Sequence, residues 1–295
     1  MMKNIGREIH RATGVFHITT VPLGSRPRVL DLCLAPGGFS SIAMQHSPDA
    51  HVRAFSLPPG EGGHRVRIGP HPNIAIDFLD VNMLAADMGA DAVPPPAHPD
   101  ADNFLPRRLR PGDAFDLVIC DGQVLRTHPR APYREAHEAA RLGFAQLALG
   151  LGSVRRGGTM LGSCTRSRAG GPSWSCAPSA ASRTCASSSP GSPTRSAPRA
   201  YMVASDVQPQ REEARRAVDT WKRLWRAATF GSDGEYDDLS RACAPDVGQV
   251  LEDFGPTLIG LGAEAWEIQA SALSRAPFLR QRLKSRPSPG GAVTE

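Results

Sequence analysis

Apolar positions along this chain alternate between helical spacing and short continuous runs, and that alternation predicts its architecture. Met1 to Phe16 carries apolar residues at helical spacing, with Ile5, Ile9 and Ala12 on one face, and predicts a helix. Arg28 to Leu34 (RVLDLCL) is an apolar run that stops at Ala-Pro-Gly-Gly, the pattern of a buried strand ending in a glycine turn. Phe39 to Gln45 resumes as a helix. His51 to Leu57 predicts a second strand, closed by Pro58-Pro59-Gly60, and Asn73 to Phe78 a third, followed by Asp80 and a helix over Val81 to Met88. Pro94 to Pro111 is a Pro-rich polar insertion that predicts a surface loop. Phe115 to Cys120 (FDLVIC) is the strongest buried strand and ends at Asp121-Gly122. Tyr133 to Leu151 predicts an amphipathic helix with Ala140, Phe144, Leu147 and Leu151 on its buried side. Gly157-Gly158 breaks it, and Thr159 to Leu161 starts the next strand.

Strands alternating with helices predict an α/β fold with a mostly parallel sheet and helices on both faces. Such sheets bind ligands at the carboxyl ends of their strands. The pattern then fails: Ser163 to Ala200 contains no Leu, Ile, Val, Met, Phe, Asp, Glu or Lys. Order resumes at Tyr201-Met202-Val203-Ala204. Glu212 to Phe230 predicts a long amphipathic helix bearing Trp221, Leu224 and Trp225, whose spacing favours core packing over base stacking. Weaker helical patterns follow at Val247 to Leu251 and Glu264 to Leu273, and the tail from Ser285 is expected to be disordered. No internal repeat is found.

Composition narrows the function classes. The apolar fraction of 40% is enough for a core diluted by loops. The net charge of +5 suits a polyanionic partner. Only three lysines are present, Lys3, Lys222 and Lys284, so arginine supplies nearly all of the positive charge. No apolar stretch is long enough for a transmembrane helix, and Met1 to Thr20 lacks the apolar core of a signal peptide. The six cysteines form no CxxC pair and have no histidines at metal spacing, so neither a metal site nor a disulfide framework is expected. An intracellular location, cytoplasm or nucleus, is the expectation. The histidines are scattered and read mostly as surface residues. Arg107-Arg108-Arg110 either touches phosphates or belongs to a solvated loop.

The sharpest chemical feature is Leu30-Asp31-Leu32-Cys33-Leu34-Ala35-Pro36-Gly37-Gly38-Phe39-Ser40, a strand that ends in a glycine pair with a helix starting at once. Glycines there let backbone approach a ligand, and the helix N-terminus offers unpaired N–H groups. The spacing is neither GxGxxG nor GxxxxGK[ST], which disfavours a nicotinamide-dependent oxidoreductase and a P-loop enzyme. A tight turn with no ligand is the alternative. Asp121 follows an apolar strand at the ligand edge, so it is either a reaction-site residue or a turn cap.

Asp-x-x-x-Ala-Pro-Gly-Gly-Phe-Ser resembles the cofactor loop of the FtsJ/RrmJ-like S-adenosylmethionine-dependent ribose 2′-O-methyltransferases. The resemblance covers roughly Met1 to Gly162. It continues through Asp77-Phe78-Leu79-Asp80, Phe115 to Gly122 and Gly157-Gly158-Thr159; Tyr201 to Gln210 and Trp221 to Gly231 resemble fungal-type members. It implies a Rossmann-like methyltransferase sheet over residues 1–162, completed by residues 201–284 with a small helical C-terminal extension, and a tail over 285–295. S-adenosylmethionine is the implied cofactor and RNA the implied partner. Asp31 and the backbone of Ala35, Pro36, Gly37, Gly38, Phe39 and Ser40 are implied to hold the methionine end. Asp77 or Asp80 is implied near the adenine, unless it caps the following helix. Cys33 stands where the family usually has Gly, and Leu57 where many methyltransferases place an acid on the cofactor ribose.

By the same resemblance Asp121 belongs to a Lys-Asp-Lys-Glu tetrad around the acceptor hydroxyl. No lysine lies between Lys3 and Lys222, and Arg195 to Ala200 holds no acid before Tyr201. Lys3 sits at the very start of the chain, an unpromising place for the first lysine. Arg166 is no ready substitute for the second, because its guanidinium differs in shape and stays charged. The expectation is a methyltransferase fold that is inactive as written, or an inactive module that uses the same fold to hold RNA or protein. Residues 163–200 are expected to be a frameshifted or mis-spliced segment, with a polar linker as the alternative. Were Cys164 to Arg168 encoded TGC-ACA-AGG-TCG-AGG, reading from the last base of the cysteine codon would yield His-Lys-Val-Glu, a lysine just after the Thr159 strand.

Overall fold

A computed structural model of the protein describes residues 1–90, 97–125, 131–163, 182–188 and 199–275. Helix α1 (Met2–Thr13) turns Ile9 and Gly6 inward and ends at Gly14, whose φ of 68° suits a residue without a Cβ. Ala12, expected on the inner face, is exposed; Met2, Ile5 and Ile9 form that face instead.

Strand β1 (Arg28–Asp31) leads through the glycine turn into α2 (Gly38–His46), then β2 (His51–Ser56) and β3 (Ile74–Phe78). Strand β4 (Phe115–Cys120) is buried throughout, and α3 (Glu138–Ser153) returns the chain to β5 (Val154–Ser163). Strands β6 (Ser182–Ser188) and β7 (Arg199–Val207) complete a seven-stranded sheet of order β3-β2-β1-β4-β5-β7-β6. β1 to β5 are parallel, and β7 runs antiparallel to both β5 and β6. The mostly parallel sheet read from the sequence is therefore present, and its order reverses between β1 and β4, where a ligand crevice forms.

Two cores cover the two faces. Val29, Val52, Ala54, Leu117, Ile119, Leu161, Tyr201 and Val203 pack with α1 and α2. Leu30, Phe55, Val118, Cys120, Met160 and Met202 pack with α3 and with α4 (Glu212–Phe230), which contributes Trp221 and Trp225. Both tryptophans are core residues, at 4% and 0% exposure. Helix α3 carries Ala140, Phe144, Leu147 and Leu151 inward as expected, but buries most of its other faces too, because the sheet and α4 enclose it. Gly150 makes the approach possible: a Cβ there would meet Met160 Cε at 2.8 Å and Cys120 Sγ at 3.0 Å. Helix α5 (Asp233–Ala242), unforeseen in the apolar pattern, starts at a capping box between Ser232 and Glu235. The two weak C-terminal patterns belong to one helix, α6 (Val247–Ser274).

Three further expectations change. The helix expected over Val81 to Met88 is a single 3₁₀ turn, Val81–Met83. Its backbone bonds elsewhere, since Met83 O accepts the Leu105 N–H, and the Asp87 carboxylate accepts the N–H groups of Arg108 and Leu109. Those bonds also fasten the Pro-rich insertion, which buries Leu109 against the core rather than lying free. Of the histidines, His98 is structural: its ring packs on Phe104, Tyr133 and Phe230, and Nε2 lies 2.9 Å from Thr229 O. Most of residues 163–200 lies outside the described residues. What is described there includes β6, seven polar or small residues registered along β7 from Ser182↔Ser205 to Ser188↔Arg199.

Candidate active site

The crevice at the carboxyl ends of β1, β2 and β4 is a cleft of about 1150 Å³. Its floor is the glycine turn after β1, through Cys33, Ala35, Pro36 and Gly38; Asp121 and Gly122 after β4 form one wall, and Leu79 to Asn82 after β3 the other. The start of α1, from Met1 to Arg7, and the β2–β3 connection close the mouth.

Asp31 does not face this space. It is 3% exposed and works behind the turn: Oδ2 accepts the Ser40 hydroxyl at 2.6 Å and Oδ1 accepts the Cys33 N–H at 3.2 Å. Burial raises its pKa to about 6 against the pull of those two bonds. Its role is to tie the strand end to the helix start. Ala35, Pro36 and Gly38 do line the cleft, whereas Gly37, Phe39 and Ser40 are buried behind it. Phe39 packs edge-on to Tyr201 and stacks on Phe16. Gly37 holds φ at 97°, and a Cβ there would strike the Ile68 side chain at 2.5 Å. A Cβ on Gly38 would meet Met2 Cβ at 2.4 Å and the backbone of Met2 and Lys3 at 2.8 and 2.9 Å. The space beside Gly38 is thus partly taken by α1.

Asp121 lines the cleft as expected, and its turn is fixed by a residue that the sequence did not single out. Gln146 of α3 accepts the Gly122 N–H at 2.7 Å and donates to Gly122 O at 3.1 Å. The missed cue was a polar residue in the middle of an apolar helix face. A Cβ on Gly122 would sit 2.3 Å from Cys33 Sγ, so the two turns touch through the cysteine. Burial, then Asp31, Asp80 and Asp121 among its neighbours, pushes the Cys33 thiol up, so it stays protonated. Lys3 also lines this cleft, because α1 lays its first turn over Gly38. Position near the chain start was a poor guide to position in space.

The two acids implied near an adenine separate. Asp77 sits on β3 outside the cleft and faces Arg53 at 3.5 Å. Asp80 is in the wall, but both of its oxygens are engaged: Oδ1 accepts the Asn82 N–H at 2.9 Å and Oδ2 pairs with Arg134 Nη2 at 2.6 Å. Arg134 also grips Glu138, with Nη2–Oε1 at 2.5 Å and Nε–Oε2 at 3.1 Å. Burial opposes its charge, yet the bonds to Glu138 and Asp80 prevail and hold its pKa above the ordinary arginine value. Arg141, 1% exposed, continues the network from Glu138 to Thr229 of α4.

A nucleoside-bearing cofactor fits these residues. Ser56 Oγ and Asn82 Oδ1 belong to cleft-lining residues that are 1% and 2% exposed, and neither atom has a hydrogen-bond partner. Buried polar atoms of that kind call for a ligand or solvent partner. Leu79, Val81 and Leu142 add apolar surface to the same cleft, and Leu57 and Glu61 line it as well. Among the described residues, no group of three or more His, Cys, Asp or Glu could hold a metal ion. Nor is any described helix long and apolar enough to cross a membrane.

The family model described as FtsJ-like methyltransferase matches residues 8–169. No curated protein matches the sequence. Among solved structures, human methyltransferase-like protein 13 in complex with SAH is similar at 12% identity and a TM-score of 0.38, over 84% of this chain and 99% of that one. TrmN from Thermus thermophilus is similar at 14% identity and a TM-score of 0.35, over 68% of this chain and 48% of that one. A putative S-adenosylmethionine dependent methyltransferase from Listeria monocytogenes follows at 15% identity and a TM-score of 0.30, over 55% and 53%. The family match spans more than half of the chain and includes the strand-to-helix turn and both cleft walls, so the protein belongs to the FtsJ-like methyltransferase family, with S-adenosylmethionine as its cofactor.

Proposed function

We propose that this chain descends from an RNA ribose 2′-O-methyltransferase, retains the cofactor cleft and lacks methyl transfer as written. The observation that carries the reading is the company Asp121 keeps. Lys3 lines the same cleft, but β5, whose Gly162 is registered with Cys120, ends beside Asp121 in Ser163, whose hydroxyl lies 3.4 Å from Gln123 Nε2. No lysine follows before Lys222.

S-adenosylmethionine supplies a methyl group on sulfonium, already an excellent leaving group. The protein's task is alignment, removal of the acceptor hydroxyl's proton and compensation of charge developing on that oxygen. Asp121 is the group at the right edge to hold the proton. Lys3 can offset charge from the α1 side. The sequence supplies no lysine on the β5 side, which is why we read the site as incomplete.

RNA as the partner is supported by the mouth of the cleft. Lys3, Arg7, Arg65 and Arg67 line it, and none has an ion pair among the described residues. Such a rim suits backbone phosphates. An inactive RNA-binding module is the second reading, favoured by the same rim if residues 163–200 stand as printed. A tritiated-methyl assay with total RNA tests the proposal. No incorporation above background is expected; incorporation that disappears in Asp121→Ala would show that the β5 cation is dispensable.

A further inference from the structure

We infer that helix α6 carries the surface through which two copies of this chain pair, independently of the cofactor cleft. Ile259, Ala263, Trp266, Ala270 and Leu273 recur at intervals of four and three residues, the spacing of a helix–helix seam. At about 100° per residue they fall within an arc of roughly 80° on one side of the helix. All five are exposed, Ile259 at 62%, Trp266 at 47% and Leu273 at 52%. The ground beside them is open, since a Cβ on Gly255 or Gly260 would meet nothing within 4 Å. A row of large apolar side chains exposed along one helix marks an interaction surface.

Charge and shape together select the occupant. Between Val247 and Ser274 the sequence holds four acids and no Lys, Arg or His, and Glu252 and Glu267 are exposed. That composition repels RNA and anionic lipid, which leaves a protein partner. The seam alternates large and small residues: Ile, Ala, Trp, Ala, Leu. Two such seams mesh when they run antiparallel, because large residues then meet alanines. Trp266 of each copy packs over Ala263 of the other, and Ile259 over Ala270. Layers of equal bulk let the two helix axes keep one separation, about 8–10 Å. A parallel pair in register would set Trp266 on Trp266 and Ala263 on Ala263, and no single separation suits both layers. In the antiparallel pair Glu267 flanks the seam beside Gly260 of the second copy rather than beside another acid. Covering the seam on both copies removes on the order of 1,000 Å² from water, the low end for a specific interface, which suits a micromolar pair.

Sedimentation equilibrium of the purified full chain, from about 1 to about 200 µM, tests this. The weight-average mass should rise with concentration from 31.5 kDa toward twice that value. Trp266→Glu changes an exposed position and should weaken pairing about tenfold or more, with the circular dichroism of the monomer unchanged. Ala263→Leu is the sharper variant. It adds apolar surface and keeps a strong helix former, yet it fills the hollow that receives Trp266, so pairing should again weaken about tenfold. A parent that stays monomeric across the range would overturn the inference. So would a dimer that Trp266→Glu leaves untouched, because the contact would then lie on another surface. Equal or tighter pairing in Ala263→Leu would overturn it as well, by showing a contact that is non-specific or parallel.

Discussion

The Ser40 hydroxyl donates to Asp31 Oδ2 across 2.6 Å, joining the end of β1 to the first turn of α2 beneath the cofactor turn. The pair makes the turn sensitive to pH. Burial raises the Asp31 pKa from 3.8 to about 6, so the folded state holds the proton more tightly than the unfolded chain. Its contribution to stability is complete below pH 3.8 and is lost as pH rises through about 6, a span worth about 3 kcal/mol. Asp31→Asn removes this titration. Its melting temperature relative to the parent should therefore be higher at pH 7 than at pH 4, as read by circular dichroism. An offset independent of pH would show that Asp31 does not titrate in this window.

Gly38→Arg should abolish S-adenosylhomocysteine binding measured by calorimetry. The side chain would have to displace Met2 and Lys3, which already lie within 3 Å of where its Cβ would be. Undiminished affinity in a folded variant would remove the turn from the binding site.

Replacing Arg65 and Arg67 together by Gln should weaken single-stranded RNA binding and flatten its dependence on salt. Two lost phosphate contacts correspond to a fall of about 1.4 in the slope of log K against log salt. Arg67 meets Pro36 O through its backbone N–H at 3.0 Å, a bond the substitution keeps, so cofactor binding should change less than twofold. Fluorescence anisotropy across a salt series gives the slope. An unchanged slope would place the RNA on another surface.

The transcript across residues 160 to 202 should show a frame disruption, and the chain encoded by the corrected frame should transfer methyl groups to RNA. An uninterrupted message specifying Ser163 to Ala200 as printed would leave a true pseudoenzyme.

Local pattern alone determined the elements whose two faces are enclosed. β4, with six consecutive buried residues, and α3, with Phe144 and Leu147 inward, were legible because burial selects apolar residues regardless of what covers them. The strand-to-helix turn was legible because Gly37 needs a positive φ and Gly38 needs room, both demands on residue type. Only the tertiary structure decided which groups share the cleft. Lys3 reaches it because α1 packs on Gly38, a contact between residues 35 positions apart. Asp80 is taken up by Arg134, and Asn82 is turned by Glu138, 56 residues away. The Val81 turn gave up its helix to bonds from Leu105, since a segment buried on all sides takes whatever partner the fold supplies. Those outcomes are set by where distant chain segments meet, and spacing along the sequence carries no record of it.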